Sequence, residues 1–234
     1  MRIGLISATE REIMPFIMSK MTVKVKEEEA RLNFYSGFYE GIEVVAVFSG
    51  VCKVNAAIAA QILISKFQVT HLILTGVAGA LNEKLNIGDI VIGNEIAYHD
   101  VAPGILTEYH PWMKDIYFRP DDKLFELCNK VADSLSLNCK CYTGRIITGE
   151  AFVTENERGA LIERFNPLCV DMESASVAHV CYANRVPFLI IRSISDRADK
   201  TGAEDFESNM AKAALNSLEL VQLLLKGISK GGKN

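Results

Sequence analysis

Apolar positions along the chain fall into two spacings, and their alternation predicts an α/β fold. Short unbroken apolar runs at Arg2 to Ser7, His71 to Thr75, Gly88 to Gly93, Cys141 to Ile147 and Phe188 to Ile191 have the length and β-branched content of buried strands. Between them, Ala8 to Met18, Val54 to Phe67, Asp121 to Ser136, Glu155 to Phe165 and Glu204 to Gly227 carry apolar residues at helical intervals. Leu32 to Tyr39 and Glu43 to Phe48 flank Glu40-Gly41-Ile42, where Gly41 supplies the freedom a hairpin turn needs. Ser229 to Asn234 reads as a frayed polar tail. No repeat or low-complexity linker divides the chain, so residues 1–234 are expected to form one domain.

The stretch from Val170 to Asp199 concentrates the candidate chemistry. It opens on Asp171, Met172 and Glu173, continues as a helical segment, stops at Pro187 and rises as the Phe188 strand. Arg192, Ser193, Ile194, Ser195 and Asp196 follow directly. In open α/β sheets the groups past a strand's C-terminal end face the ligand crevice, so Arg192 and Asp196 are expected there.

Glu12 occupies the equivalent place after the first strand. Thr9 is a candidate helix cap, and Glu10 and Glu12 also complement the helix's positive end, so simple helix-terminus electrostatics is the competing explanation. Gly76-Val77-Ala78-Gly79-Ala80 follows another strand with glycines that let backbone amides approach a ligand, or that merely turn the chain. Ser49 to Lys53 lacks the spacing of a phosphate loop, which leaves Lys53 as a helix-start surface residue or a structural partner. Phe152 stands past a strand end, either stacking on a planar base or filling core. Tyr98 to Pro120, rich in proline and aromatics, reads as a lid or an interface whose apolar residues a partner subunit would cover. Within it, His99 beside Asp100 is expected to form a hydrogen-bonded pair.

Composition narrows the classes. A net charge of −4 gives no basic footprint, which argues against nucleic acid and for a small-molecule site. Cys52, Cys128, Cys139, Cys141, Cys169 and Cys181 are scattered, and the Met1 to Ser7 run has no basic leader, so reduced thiols in a cytoplasmic protein are expected. Cys139 and Cys141 lack the further ligands of a zinc site, and no metal is expected. No apolar run reaches the roughly 20 residues of a membrane span.

Taken in order, the N-terminal strand with Glu12, SGVCKVNAA, TGVAGAL, GDIVIG, YHD, TGEAFV, DMESASVAHV and RSISDRAD resemble the 5′-methylthioadenosine/S-adenosylhomocysteine nucleosidases of the nucleoside phosphorylase superfamily. The resemblance spans nearly the whole chain. It implies a three-layer α/β/α fold around a twisted mixed sheet, a homodimer, no cofactor, and release of adenine from an adenine nucleoside. Carried over by motif, Asp196 would be the general acid at purine N7, with Ser195 holding it, and Glu12 the base for the attacking water. Glu173 and Met172 would bind the ribose hydroxyls, Arg192 would order the ribose and water region, and Phe152 would stack on adenine beside Val153. Val77, Ala78 and Gly79 would bring backbone to the substrate, and Val51, Ile105 and Leu106 would line the pocket for the 5′ tail. Thr9, Cys52 and Val77 depart from the commonest family pattern, where methionine, glycine and serine are usual; these departures bear on the tail.

A purine nucleoside phosphorylase is the first rival. It needs a cationic phosphate pocket, whereas the loops SATEREIM and TGVAGAL offer only Arg11. A nucleoside-binding module that has lost catalysis would show an eroded acid or base, and both Asp196 and Glu12 are present.

Overall fold

A computed structural model of the chain describes residues 1–110, 112–134, 139–199 and 202–231. The elements run β1 (Arg2–Ser7), α1 (Glu10–Ser19), β2 (Thr22–Glu29), β3 (Leu32–Tyr39), β4 (Ile42–Phe48), α2 (Lys53–Ser65), β5 (His71–Ala80), β6 (Ile90–Tyr98) and α3 (Ile105–Tyr109). They continue as α4 (Asp122–Ala132), β7 (Cys141–Thr148), α5 (Glu155–Phe165), β8 (Cys169–Asp171), α6 (Ser174–Asn184), β9 (Phe188–Asp196) and α7 (Gly202–Gly231). The expected end of the fourth helix at Ser136, Pro111 of the lid segment, and the last three tail residues lie outside the described residues.

The nine strands among the described residues form one mixed sheet ordered β2-β3-β4-β1-β5-β8-β7-β6-β9, and β9 also pairs with β5. Five strands therefore close into a ring, from which β1, β4, β3 and β2 extend as a wing. Helices α2 and α6 pack on one face through Ala59, Leu63, Ala178 and Cys181 against Ile190. On the other face α1, α4 and α7 bring Phe16, Leu124, Val221 and Leu224 against Leu189 and Ile191. Successive β9 residues point to opposite faces and both faces are covered, which is why this strand reads as an unbroken apolar run. The result is the three-layer α/β/α arrangement that the resemblance implied.

Several strands differ from their sequence outlines. Strand β2 (TVKVKEEE) is exposed throughout and pairs only with β3, so it carries almost no apolar signal. Strand β8 spans three residues, below the length at which a pattern registers. The glycine segment after Thr75 is not a loop: β5 continues through it to Ala80, parallel to β9 and then antiparallel to β8. Strand β9 likewise runs on to Asp196, so Arg192, Ser195 and Asp196 sit on the strand rather than past it. This register sets Gly76 beside Arg192 and Gly79 beside Asp196.

The long Tyr98–Pro120 segment is partly self-covered. Phe118 is fully buried and stacks on His179 of α6 at 4.9 Å, while Tyr109 and Trp112 remain exposed. The expected His99–Asp100 pair does not form. Asp100 accepts from Lys53 Nζ at 2.7 Å and from the Glu150 amide at 3.0 Å, whereas His99 Nε2 is buried without a hydrogen-bond partner among the described residues. Lys53 also lies 3.4 Å from Glu150, and so acts as a structural clasp between the start of α2 and the loop after β7.

Ile190 has no exposed surface and packs within the α2–α6 core. Ile190→Ala is expected to lower stability by about 2–5 kcal/mol, read from denaturant midpoints. A loss below about 1 kcal/mol would mean that this face tolerates a cavity.

Candidate active site

The C-terminal ends of β1, β5 and β9 converge on a cavity of about 340 Å³. Glu12 reaches it from the first turn of α1, is almost fully buried, and is held at both oxygens. Its Oε2 accepts the Thr9 amide at 2.7 Å and the Thr9 hydroxyl at 3.0 Å, and its Oε1 accepts the Val77 amide at 3.0 Å. Gly76 is required beside it, because a Cβ there would lie 2.5 Å from Glu12 Oε1 and 2.6 Å from an Arg192 nitrogen.

Behind Glu12 the chain buries a full ionic cluster. Arg192 has no exposed surface; its Nε donates to Asp171 at 2.7 Å and its Nη2 to Glu173 at 3.1 Å, while Nη1 has no partner among the described residues. Asp171 accepts further from the Thr148 hydroxyl at 2.6 Å, from the Ser174 hydroxyl and from the Ser174 amide at 3.1 Å. Glu173 accepts the Cys52 amide at 2.9 Å. Both carboxylates line the cavity, but Asp171 is saturated by its protein partners, whereas Glu173 accepts only from Arg192 and the Cys52 amide among the described residues.

Asp196 also lines the cavity, on β9 four residues beyond Arg192. Its Oδ2 accepts the Ser195 hydroxyl at 2.8 Å and its Oδ1 the Ala198 amide at 2.8 Å. A side chain at Gly79 would place Cβ 2.7 Å from Oδ1, so only glycine leaves room for this carboxylate. Phe152 is 54% exposed at the cavity and meets Phe206 of α7 edge to face at 5.7 Å.

Burial sets the electrostatics. It pushes Glu173 from an ordinary 4.5 up to about 7; Asp171 and Glu12 add to the rise, against Arg192 and the Cys52 amide. It likewise raises Asp196, against the Ala198 amide and the Ser195 hydroxyl. Burial works against the charge on Arg192, but Asp171, Glu173 and Glu12 outweigh it and raise its pKa. Burial at this site therefore favours a proton on the Glu173 and Asp196 carboxyls.

Of the residues expected from sequence, Glu12, Val51, Val77, Ala78, Gly79, Phe152, Val153, Met172, Glu173, Ser195 and Asp196 all line this cavity. Arg192 stands behind it. Ile105 and Leu106 are not brought to it: α3 leaves Ile105 exposed and packs Leu106 into the core near Phe118 and Met113. Sequence reasoning missed Phe206, Glu207 and Met210, which also line it, as does Arg11, weighed from sequence only as a cation for phosphate. Arg11 and Glu207 pair at 3.4 Å between α1 and α7. The only local sign of α7's part was an aromatic residue in the opening turns of the helix that follows Asp196. Among the described residues, no group of three or more His, Cys, Asp and Glu is arranged to hold a metal, and no helix is long and apolar enough to cross a membrane.

Residues 2–226 match the family model described as the Phosphorylase superfamily. A 5′-methylthioadenosine/S-adenosylhomocysteine nucleosidase from Staphylococcus aureus strain JH9 is 36% identical over 228 residues, covering 95% of this chain and 98% of the relative. Among solved structures, a nucleosidase of the same description from Colwellia psychrerythraea 34H, in complex with adenine, superposes with a TM-score of 0.90 at 36% identity, covering 97% of this chain and 95% of that one. A futalosine hydrolase from Helicobacter pylori strain 26695 superposes with a TM-score of 0.86 at 29% identity, covering 96% and 97%.

The raised Glu173 carboxyl gives a stability signature. A carboxyl whose folded pKa exceeds its unfolded value favours the fold while protonated, so its contribution is present below 4.5 and is lost as pH rises through about 7. Glu173→Gln, neutral throughout, is expected to flatten the fall in thermal midpoint between about pH 5 and pH 8. Parallel curves for the variant and the unaltered protein would assign that fall to other groups.

Proposed function

The chain belongs to the phosphorylase superfamily and, within it, to the 5′-methylthioadenosine/S-adenosylhomocysteine nucleosidases, and on that footing we propose that it hydrolyses the N-glycosidic bond of 5′-methylthioadenosine and S-adenosylhomocysteine, releasing adenine. The observation that carries the mechanism is a single cavity with the acid Asp196 on β9 and the carboxylate Glu12 on α1.

Adenine leaves poorly as an anion, so the reaction needs a proton at the base and negative charge at the sugar. Asp196, its carboxyl raised by burial, donates to purine N7 while Ser195 fixes its orientation. The bond from C1′ to the purine then breaks, its electron pair passes to the protonated base, and positive charge grows on the ribose. Glu12 stabilises that charge and takes a proton from a water that attacks C1′. In this reading the water sits near Gly76, beside Glu12 Oε1 and Arg192 Nη1. Glu173 and Met172 meet the ribose hydroxyls, and hydroxyl donors there favour the ionised form of Glu173. Phe152 stacks on adenine with Phe206 across from it, and Val51 faces the 5′ tail.

Water rather than phosphate suits the charge at the cavity. Among the described lining residues the one cation is Arg11, already paired with Glu207. Two copies of the chain form a homodimer in this reading, covering the exposed Val54 and Ile58 of α2 together with Tyr109 and Trp112. The six free thiols suit a reducing cytoplasm.

Adenine release from methylthioadenosine in phosphate-free buffer is the direct test, with free methylthioribose as the second product. Release that requires phosphate and yields a sugar 1-phosphate would overturn hydrolysis. Asp196→Asn is expected to cut turnover by about 10²–10⁴-fold while substrate analogues still bind, as followed by calorimetry. Near-normal turnover would remove Asp196 from the acid role.

A further inference from the structure

Glu12 is held more tightly than proton abstraction alone requires. Oε2 accepts two hydrogen bonds, both from Thr9: the amide at 2.7 Å and the hydroxyl at 3.0 Å. Oε1 accepts only the Val77 amide, at 3.0 Å. A carboxylate oxygen has about two acceptor sites, so Thr9 fills Oε2 and leaves one site open on Oε1. That oxygen is also the one beside Gly76 and the unpartnered Arg192 nitrogen. Thr9 itself lines the cavity, so its hydroxyl lies at the site rather than in remote scaffold.

We propose that Thr9 is a positioning residue for the base: its hydroxyl pins Oε2 and thereby selects Oε1 as the oxygen that accepts the proton from water. This inference rests on the nucleosidase reading. Without the hydroxyl each oxygen would hold a single amide hydrogen bond, from Thr9 and from Val77, so both would keep an open acceptor site and compete for the water. Since misplacing a reacting group by about 1 Å costs up to about 10²-fold in rate, loss of one of the two restraints on Oε2 acts on the chemical step. A methionine or alanine at this position has no donor to offer, and a serine does.

Thr9 also caps α1, and any loss of the hydroxyl lowers stability. The experiment must therefore separate capping from positioning. Thr9→Val keeps the shape and removes the donor, Thr9→Ala removes both, and Thr9→Ser restores the donor. Initial rates on methylthioadenosine are measured well below each variant's melting midpoint, alongside Glu12→Gln and the double variant T9V/E12Q. The expected result is a fall in kcat of about 10-fold for Thr9→Val and Thr9→Ala, with KM changed by less than about twofold and Thr9→Ser within about threefold of the unaltered enzyme. The double variant is expected to be no slower than Glu12→Gln alone, because Thr9 acts only through Glu12. Unchanged kcat in Thr9→Val, an equal fall in Thr9→Ser, or multiplicative loss in the double variant would each overturn the positioning role. A fully active Glu12→Gln would remove Glu12 from the base role and the positioning role with it, whereas an unaltered enzyme that releases no adenine would instead overturn the nucleosidase reading.

Discussion

One buried guanidinium organises this molecule. Arg192 enters the interior without a water-facing atom, and Asp171 and Glu173 answer its charge directly. Stranding any one of these charges by removing its partner typically costs about 3–5 kcal/mol, so the cluster tolerates little local rearrangement. Its members come from distant parts of the chain: Arg192 from β9, Asp171 from β8, Glu173 from the cap of α6, and Thr148 and Cys52 from the ends of β7 and the α2 loop. Satisfying them together fixes how those strands and helices meet. The cavity is a consequence of that agreement.

Ring closure of the sheet supplies the geometry. Without the β5–β9 pairing, Gly76 and Gly79 would not lie across from Arg192 and Asp196, and the two acidic groups would not share a wall. Both glycines are places where the backbone surrenders its side chain to a carboxylate. Here the sheet's register, rather than any loop, sets the spacing of the chemical groups.

Much of this was legible in the residues, for identifiable reasons. The strands buried on both faces announced themselves as apolar runs, and the acids following β1 and within β9 stood out because charges there are rare. The charged edge strand β2 and the three-residue β8 offered no periodicity to read. His99 and Asp100 are neighbours in sequence, yet at the end of an extended strand adjacent side chains point apart, and Asp100 found Lys53 instead. The path of the Tyr98–Pro120 segment is set by packing on α6, which local pattern does not encode, so Ile105 and Leu106 lie away from this chain's own cavity. Phe206, Glu207 and Met210 reach the cavity only because the chain doubles back after Asp196. That is a tertiary fact.

The ring has one further effect, felt outside the site. Among the described strands it leaves β2 as the open edge of the sheet, and that edge reads TVKVKEEE. Its two lysines precede three consecutive glutamates, and Glu27 and Glu29 are both drawn to Lys66. A second copy approaching strand to strand would have to desolvate this charged row, so runaway stacking into fibrils is discouraged at its one available start. The closure that builds the cavity thus also leaves the sheet's exposed edge to a charged strand poorly suited to pairing with another.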